Sequence, residues 1–208
     1  MYSPNSKCNI VLDGEKLEQT PNFEYLGSML TSNGDCDTEI RRVGISKRMF
    51  MDMKHILTNK SISMDIRKRF LQCYIWPTSL YGCESWTISK KLQKHLEATE
   101  KWFFLRMLKI PWTKRKLIET ILTIIQEEKT LMQTIRKRQL DFLGYIVRAD
   151  SLEKLCIEGK ADGVKPRGRP RRKYLEGLVL ATRTDNVQLL RMAKNRNEYK
   201  RLVANVRI

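Results

Sequence analysis

The sequence predicts a mainly α fold: a helical bundle with a short N-terminal β-hairpin and a basic linker before two C-terminal helices. Three observations predict it. Apolar residues recur at helical spacing over most of the chain after Asp37, alternation with period two is confined to the start, and from Gly159 to Lys173 both patterns give way to Gly, Pro and basic residues. The hairpin rests on Asp13-Gly14, a strong local turn signal, set between Asn9-Ile10-Val11-Leu12 and Glu15-Lys16-Leu17-Glu18. A third extended piece is expected over Phe23-Glu24-Tyr25-Leu26-Gly27-Ser28-Met29-Leu30, stopping at Ser32-Asn33-Gly34. Isolated hairpins are marginal in water. These strands are therefore expected to belong to a larger sheet, with Ile10, Leu12, Phe23 and Tyr25 left open.

After Gly34 the period becomes helical. Ile45, Met49, Met53 and Ile56 share one stripe, while Arg41, Arg42, Lys47, Arg48 and Lys54 largely lie elsewhere. A second helix is expected from an N-cap at Ser63 through Ile66, Phe70 and Tyr74 until Pro77 stops it. Ser79 to Trp86 is aromatic and broken by Gly82, which suggests a buried turn or a short extended piece. A third helix from Ser89 carries Leu92, Leu96, Phe103 and Met107 inward, with Pro111 beyond its end. Leu117 to Ile125 and Leu131 to Val147 supply two more helical patterns that are expected to pack on the third. Beyond the linker, one helix is expected around Tyr174 to Ala181. A second begins at Asp185, whose side chain caps it while Gln188 sits three positions on; Leu189, Leu190, Met192, Ala193, Leu202 and Val203 form its inner side. The expected divisions are residues 1–34, 35–158, 159–173 and 174–208.

The chain has 208 residues, 41% of them hydrophobic, which suffices for one good core or two modest ones. Its 40 Lys and Arg against 23 Asp and Glu leave a formal charge of +17. That lies far beyond the magnitude of about 2 to 8 that suits a small soluble domain. A polyanion explains such a field, because each phosphate neutralised by Lys or Arg releases condensed counterion. A solvated basic surface and an anionic membrane surface are the alternatives. The five cysteines have no paired spacing and an odd count, so a disulfide framework is not expected, and His55 and His95 are too far from paired cysteines for a zinc knuckle. No apolar run has the length of a signal peptide or a membrane span, which leaves nucleus or cytoplasm as the expected location.

Metal-dependent phosphoryl transfer needs closely placed carboxylates. No Asp-Asp doublet occurs, and the acids are interleaved with bases, as in Glu97 and Glu100 before Lys101 or Asp141 after Arg138, which suits salt-bridged helix faces. No catalytic residue and no metal or other cofactor is therefore assigned, and Cys73 or Cys83 with His95 is read as structural. The sharpest motif is Lys165-Pro166-Arg167-Gly168-Arg169-Pro170-Arg171-Arg172-Lys173, within a stretch holding seven basic residues and only Asp162 from Lys160 to Lys173. Arg167 to Pro170 resembles the Arg-Gly-Arg-Pro core of an AT-hook, in which glycine lets the backbone lie deep in a narrow minor groove and the flanking arginines enter its negative potential. A flexible basic linker touching any phosphate fits the same residues. Two further clusters, Arg67-Lys68-Arg69 and Arg136-Lys137-Arg138, are expected as phosphate-facing stripes on helices. Trp76, Trp86, Trp102 and Trp112 are read as packing groups ahead of base-stacking ones.

Five stretches in this order are similar to one known arrangement: Phe23-Glu24-Tyr25-Leu26-Gly27-Ser28, Glu39-Ile40-Arg41-Arg42, Leu80-Tyr81-Gly82-Cys83-Glu84-Ser85-Trp86-Thr87, Arg138-Gln139-Leu140-Asp141-Phe142-Leu143-Gly144 and Arg167-Gly168-Arg169-Pro170-Arg171. Together they resemble the end of the palm, the thumb and the tail of LINE-type (non-LTR) retrotransposon endonuclease-reverse transcriptases. The resemblance implies a thumb-like helical bundle that contacts RNA or DNA, namely the template-primer duplex, and docks on the palm and fingers. It also implies a primer-grip role for Tyr25, Leu26 and Gly27. Mg²⁺ and the paired aspartates would belong to the upstream palm, so this stretch alone is expected not to polymerise. Arg148-Ala149-Asp150-Ser151 lacks the second Asp and the aromatic of the family's catalytic motif, and Tyr145 stands where relatives commonly carry His. A free-standing DNA-binding protein using the AT-hook-like segment, and an inactive helical interaction module, remain the alternative readings.

Overall fold

The computed structural model describes residues 9–31, 36–114, 117–126, 131–159 and 174–206. It is mainly helical, with short β-structure at the start. Strands β1 (Val11–Leu12) and β2 (Glu15–Lys16) pair antiparallel about the Asp13-Gly14 turn, whose two residues both take positive φ as a tight hairpin turn requires. The next segment differs from its expected single strand. It folds into a second hairpin, β3 (Asn22–Tyr25) against β4 (Ser28–Thr31), reversing at Leu26 and Gly27 with φ of +48° and +76°. Leucine is an unusual occupant of that conformation. Ile10, Leu12, Phe23 and Tyr25 are 58, 60, 58 and 57% exposed, so both hairpins leave apolar side chains open.

The helical body begins with α1 (Ile40–Asp52) and a single further turn, α2 (Lys54–Leu57). The inner face of α1 is Val43, Ser46 and Phe50, with Met49 and Met53 flanking it. Ile45, expected inside, is exposed, because the true stripe lies a fraction of a turn away from the expected one. Helix α3 (Met64–Phe70) is capped by Ser63 as expected, its hydroxyl accepting from the Ile66 N–H. Pro77 does not end the run. A π-helical turn at Leu71–Ile75, in which the Trp76 N–H donates to the Leu71 carbonyl, leads directly into α4 (Trp76–Ser79) with Pro77 in its first turn. Proline lacks the N–H and crowds the carbonyl four residues back, and an i→i+5 turn placed just ahead of it relieves both problems.

Helix α5 (Lys90–Met107) starts at Ser89, whose Oγ accepts from the Leu92 N–H, and buries Leu92, Leu96, Phe103 and Met107. Helices α6 (Ile118–Ile125) and α7 (Leu131–Arg148) complete the larger core, which gathers Phe50, Leu57, Leu71, Ile75, Leu80, Trp86, Phe104, Ile121 and Ile135. Glu100 is buried, and its Oε1 accepts from the Leu131 N–H at 2.7 Å at the start of α7, where the helix leaves N–H groups without partners of their own.

A second, smaller core forms on the other half of α7. Leu140, Leu143 and Val147 pack with Leu178, Leu189, Ala193, Tyr199 and Val203. These come from α9 (Tyr174–Thr182), α10 (Asn186–Lys194) and α11 (Arg196–Asn205), which follow the short α8 (Leu152–Glu158). Asp185 caps α10 by accepting from the Gln188 N–H. The expected single C-terminal helix is two, because the Asn195 side chain accepts from the Asn197 and Glu198 N–H groups and caps a fresh start. Gly144 lets α11 come close: a Cβ there would lie 2.5 Å from the Tyr199 ring, whose hydroxyl donates to the Leu140 carbonyl at 2.8 Å.

Candidate nucleic-acid interface

The Leu26-Gly27 turn is held by its backbone and shows its side chains outward. Tyr81 donates its hydroxyl to the Leu26 carbonyl at 2.8 Å, and both Arg41 and Arg42 donate to the Gly27 carbonyl. Below the turn, buried Glu39 accepts from Arg42 Nε at 2.6 Å on one oxygen and from the Ser28 hydroxyl and Met29 N–H, each at 3.0 Å, on the other. Burial acts to raise the Glu39 pKa, but the hydrogen bonds from Met29, Arg42 and Ser28 and the Arg42 charge outweigh it and hold the carboxyl below its ordinary value. The Arg42 guanidinium also lies over the Tyr81 ring, 4.5 Å from its centroid. Tyr25 and Leu26 remain exposed on this anchored turn, which carries the three residues, Tyr25, Leu26 and Gly27, expected to act as a primer grip.

The two basic clusters divide. Arg67 is buried, donating to the Ile62 carbonyl at 3.0 Å and, at 2.9 Å, to the Met107 carbonyl that ends α5. Lys68 reaches the Ile125 and Gln126 carbonyls at the end of α6 and pairs with Asp65. Arg69 is exposed. In the other cluster Arg136 is buried against Gln139, Lys137 is exposed, and Arg138 is half-buried beside the Leu80 carbonyl and Glu84. Arg67 and Arg136 are thus interior groups and not phosphate-facing ones. Successive helical residues point about 100° apart, so three bases in a row cannot share a face. Cationic side chains at helix C-termini also satisfy carbonyls that the helix leaves without partners. Lys165, Arg167, Gly168, Arg169, Pro170, Arg171, Arg172 and Lys173 lie outside the described residues.

The turn at Cys83–Ser85 is fixed to α7 through polar groups. Gln139 Nε2 donates to the Cys83 and Trp86 carbonyls at 3.0 and 2.8 Å, and the Tyr174 hydroxyl donates to those of Glu84 and Gln139 at 2.8 and 3.1 Å. Burial raises the Tyr174 hydroxyl above the ordinary phenol range and pushes the Cys83 thiol up to about 11, helped in the second case by the Glu84 charge. A buried, protonated Cys83 is inert. Trp76 and Trp86 lie in the core, and Trp102 is partly buried against Phe50 and Phe103. The side chain of Trp112 lies outside the described residues. Tyr145 is exposed on α7.

Among the described residues no group of three His, Cys, Asp or Glu side chains is placed to hold a metal ion, and no helix is long and apolar enough to cross a membrane. Exposed Lys54 of α2 lies with Arg106 and Lys109 at the end of α5, a set with no signal in the sequence because its members are far apart or interrupted by apolar residues and form no basic run. No family model, curated protein or solved structure matches the chain.

Proposed function

We propose that the chain is the end-of-palm, thumb and tail part of a LINE-type reverse transcriptase, contacting nucleic acid through its basic surface and supplying no catalytic carboxylates of its own. The observation that carries this reading is that, among the described residues, four of the five stretches bearing the resemblance are partners in space. The Leu26-Gly27 turn is bonded to Arg41, Arg42 and Tyr81, Ser28 is bonded to Glu39, and the Cys83–Trp86 turn is bonded to Gln139. Residues that determine one another's placement explain why such short motifs occur together. The charge of +17 supports a polyanionic partner, and the open apolar side chains of both hairpins support contact with the adjoining palm.

The test is primer extension beside binding. Purified chain with primed template, deoxynucleotides and Mg²⁺ is expected to bind template-primer and to incorporate nothing. Extension that disappears on mutating one specific Asp or Glu would overturn the non-catalytic assignment, and absence of binding at low salt would overturn the nucleic-acid reading. The AT-hook-like segment is separated by the Arg167→Ala/Arg169→Ala variant: loss of preference for A·T-rich over G·C-rich duplex marks groove reading, whereas an even loss marks phosphate contact alone.

A further inference from the structure

The end of α5 carries an open cleft of about 950 Å³ whose floor includes Phe50, Trp102 and Pro111 and whose rim carries Lys54, Arg106 and Lys109. The Trp102 indole is flanked by charge, with the Arg106 guanidinium 4.4 Å and Lys47 Nζ 5.5 Å from its ring centroid. Among the described residues no acidic side chain lines the cleft and no carboxylate pairs with Lys47, Lys54, Arg106 or Lys109. Among the described residues the interior cations have carbonyl or carboxylate partners, whereas Arg106 meets only the Trp102 ring and Met51 Sδ, and Lys47 the same ring. The backbone adds a second observation. Lys109 sits at φ +55° where α5 ends, with the Ile110 N–H donating to the Leu105 carbonyl, a helix termination that ordinarily takes glycine. A lysine there accepts backbone strain and sets one more positive charge on the rim.

We propose that this cleft binds single-stranded nucleic acid, one unstacked base lying on the Trp102 floor and the neighbouring phosphates pairing with Lys54, Arg106 and Lys109. The proposal rests on the nucleic-acid reading above and gives it a location. Cations with no carboxylate partner among the described residues select an anion, and an aromatic, apolar floor selects one that also offers a flat face. Duplex keeps its base faces stacked, and an acidic peptide supplies carboxylates without a planar face, so a single strand matches both halves of the cleft.

The experiment uses the full chain, a labelled oligothymidylate of about 12 nucleotides, within the span one such groove covers, and a duplex of the same length. Stacking a base is worth about 1 to 3 kcal/mol, or roughly 5- to 150-fold in affinity. Lys54→Glu/Lys109→Gly is expected to weaken single-strand binding at least tenfold, and duplex binding less than about threefold. Its melting temperature should not fall, since glycine relieves the strained φ at position 109. Trp102→Phe, which keeps an aromatic in the packing, should lose most of the quenching of indole emission by oligothymidylate. Unchanged single-strand affinity, an equal loss on both ligands, or competition by polyglutamate as effective as unlabelled oligothymidylate would overturn the proposal. Wild type binding duplex but not single strand removes the cleft alone, whereas binding to neither removes the nucleic-acid reading with it.

Discussion

At the junction of the β3–β4 turn with α1, Glu39, Arg41 and Arg42 each have a charged or carbonyl partner, whereas at the Trp102 cleft Lys54, Arg106 and Lys109 have no carboxylate partner among the described residues. The two regions differ in what positive charge is for. At the junction it ties a turn to a helix, and Arg42 is withdrawn from solvent. At the cleft it faces outward over an aromatic floor. A net charge of +17 therefore overstates the surface available to a polyanion, and the position of each cation on its helix decides which set it joins.

The largest expected effect breaks the inward set. Arg42→Met leaves Glu39 buried without its cation, and removing one partner of such a pair costs about 3 to 5 kcal/mol. Urea denaturation followed by circular dichroism reads it, and a loss below about 1 kcal/mol would show that the pair is dispensable. Next comes a direct contrast within one cluster. Arg67→Met removes charged hydrogen bonds to the Ile62 and Met107 carbonyls and should cost about 1.5 to 3 kcal/mol. Arg69→Met on the exposed side should stay within about 0.5 kcal/mol. Equal effects would erase the distinction between inward and outward cations.

Gly144→Ala tests the second core, where the added methyl meets the Tyr199 ring. Overpacking of this kind costs about 1 to 3 kcal/mol. Limited proteolysis should show α11 released before the helices of the larger core, and simultaneous cleavage would show that the two cores open together. The smallest effect is on pH dependence. Because the folded Glu39 pKa lies below its unfolded value, near 4.3 for glutamate, its contribution is complete above that value and disappears as pH falls through the folded one. Stability measured from pH 7 to 3 should therefore fall below about pH 4.5, and less steeply in Glu39→Gln.

Much of this was legible in the sequence where a side chain acts locally. Ser63, Ser89 and Asp185 announce helix starts because their oxygens reach an N–H three residues on, and Asp13-Gly14 announces a turn because its residue types suit positive φ. What the sequence hid depends on distant partners. The Leu26-Gly27 reversal looks like strand because leucine rarely takes positive φ, and the bonds that hold it come from Arg41, Arg42 and Tyr81. Pro77 reads as a stop because nothing local signals the π-helical turn before it. Ile45 and Val43 both fit a helical period, and only the packing chooses Val43. The Trp102 cleft was invisible for the same reason, since Lys54 and Lys109 are brought together only by the packing of α1 and α2 near the end of α5.

The division of the cations is tested most directly by the salt dependence of single-strand binding in Lys54→Ala/Lys109→Ala and in Arg67→Met. Each lost phosphate contact flattens the log-log slope by about 0.7 on a single strand. The outward pair is expected to flatten it by about 1.4, with stability unchanged, and Arg67→Met to leave the slope unaltered with a lower denaturation midpoint. An unaltered slope in the outward pair, or a flattened one in Arg67→Met, would show that the cations are not divided in this way.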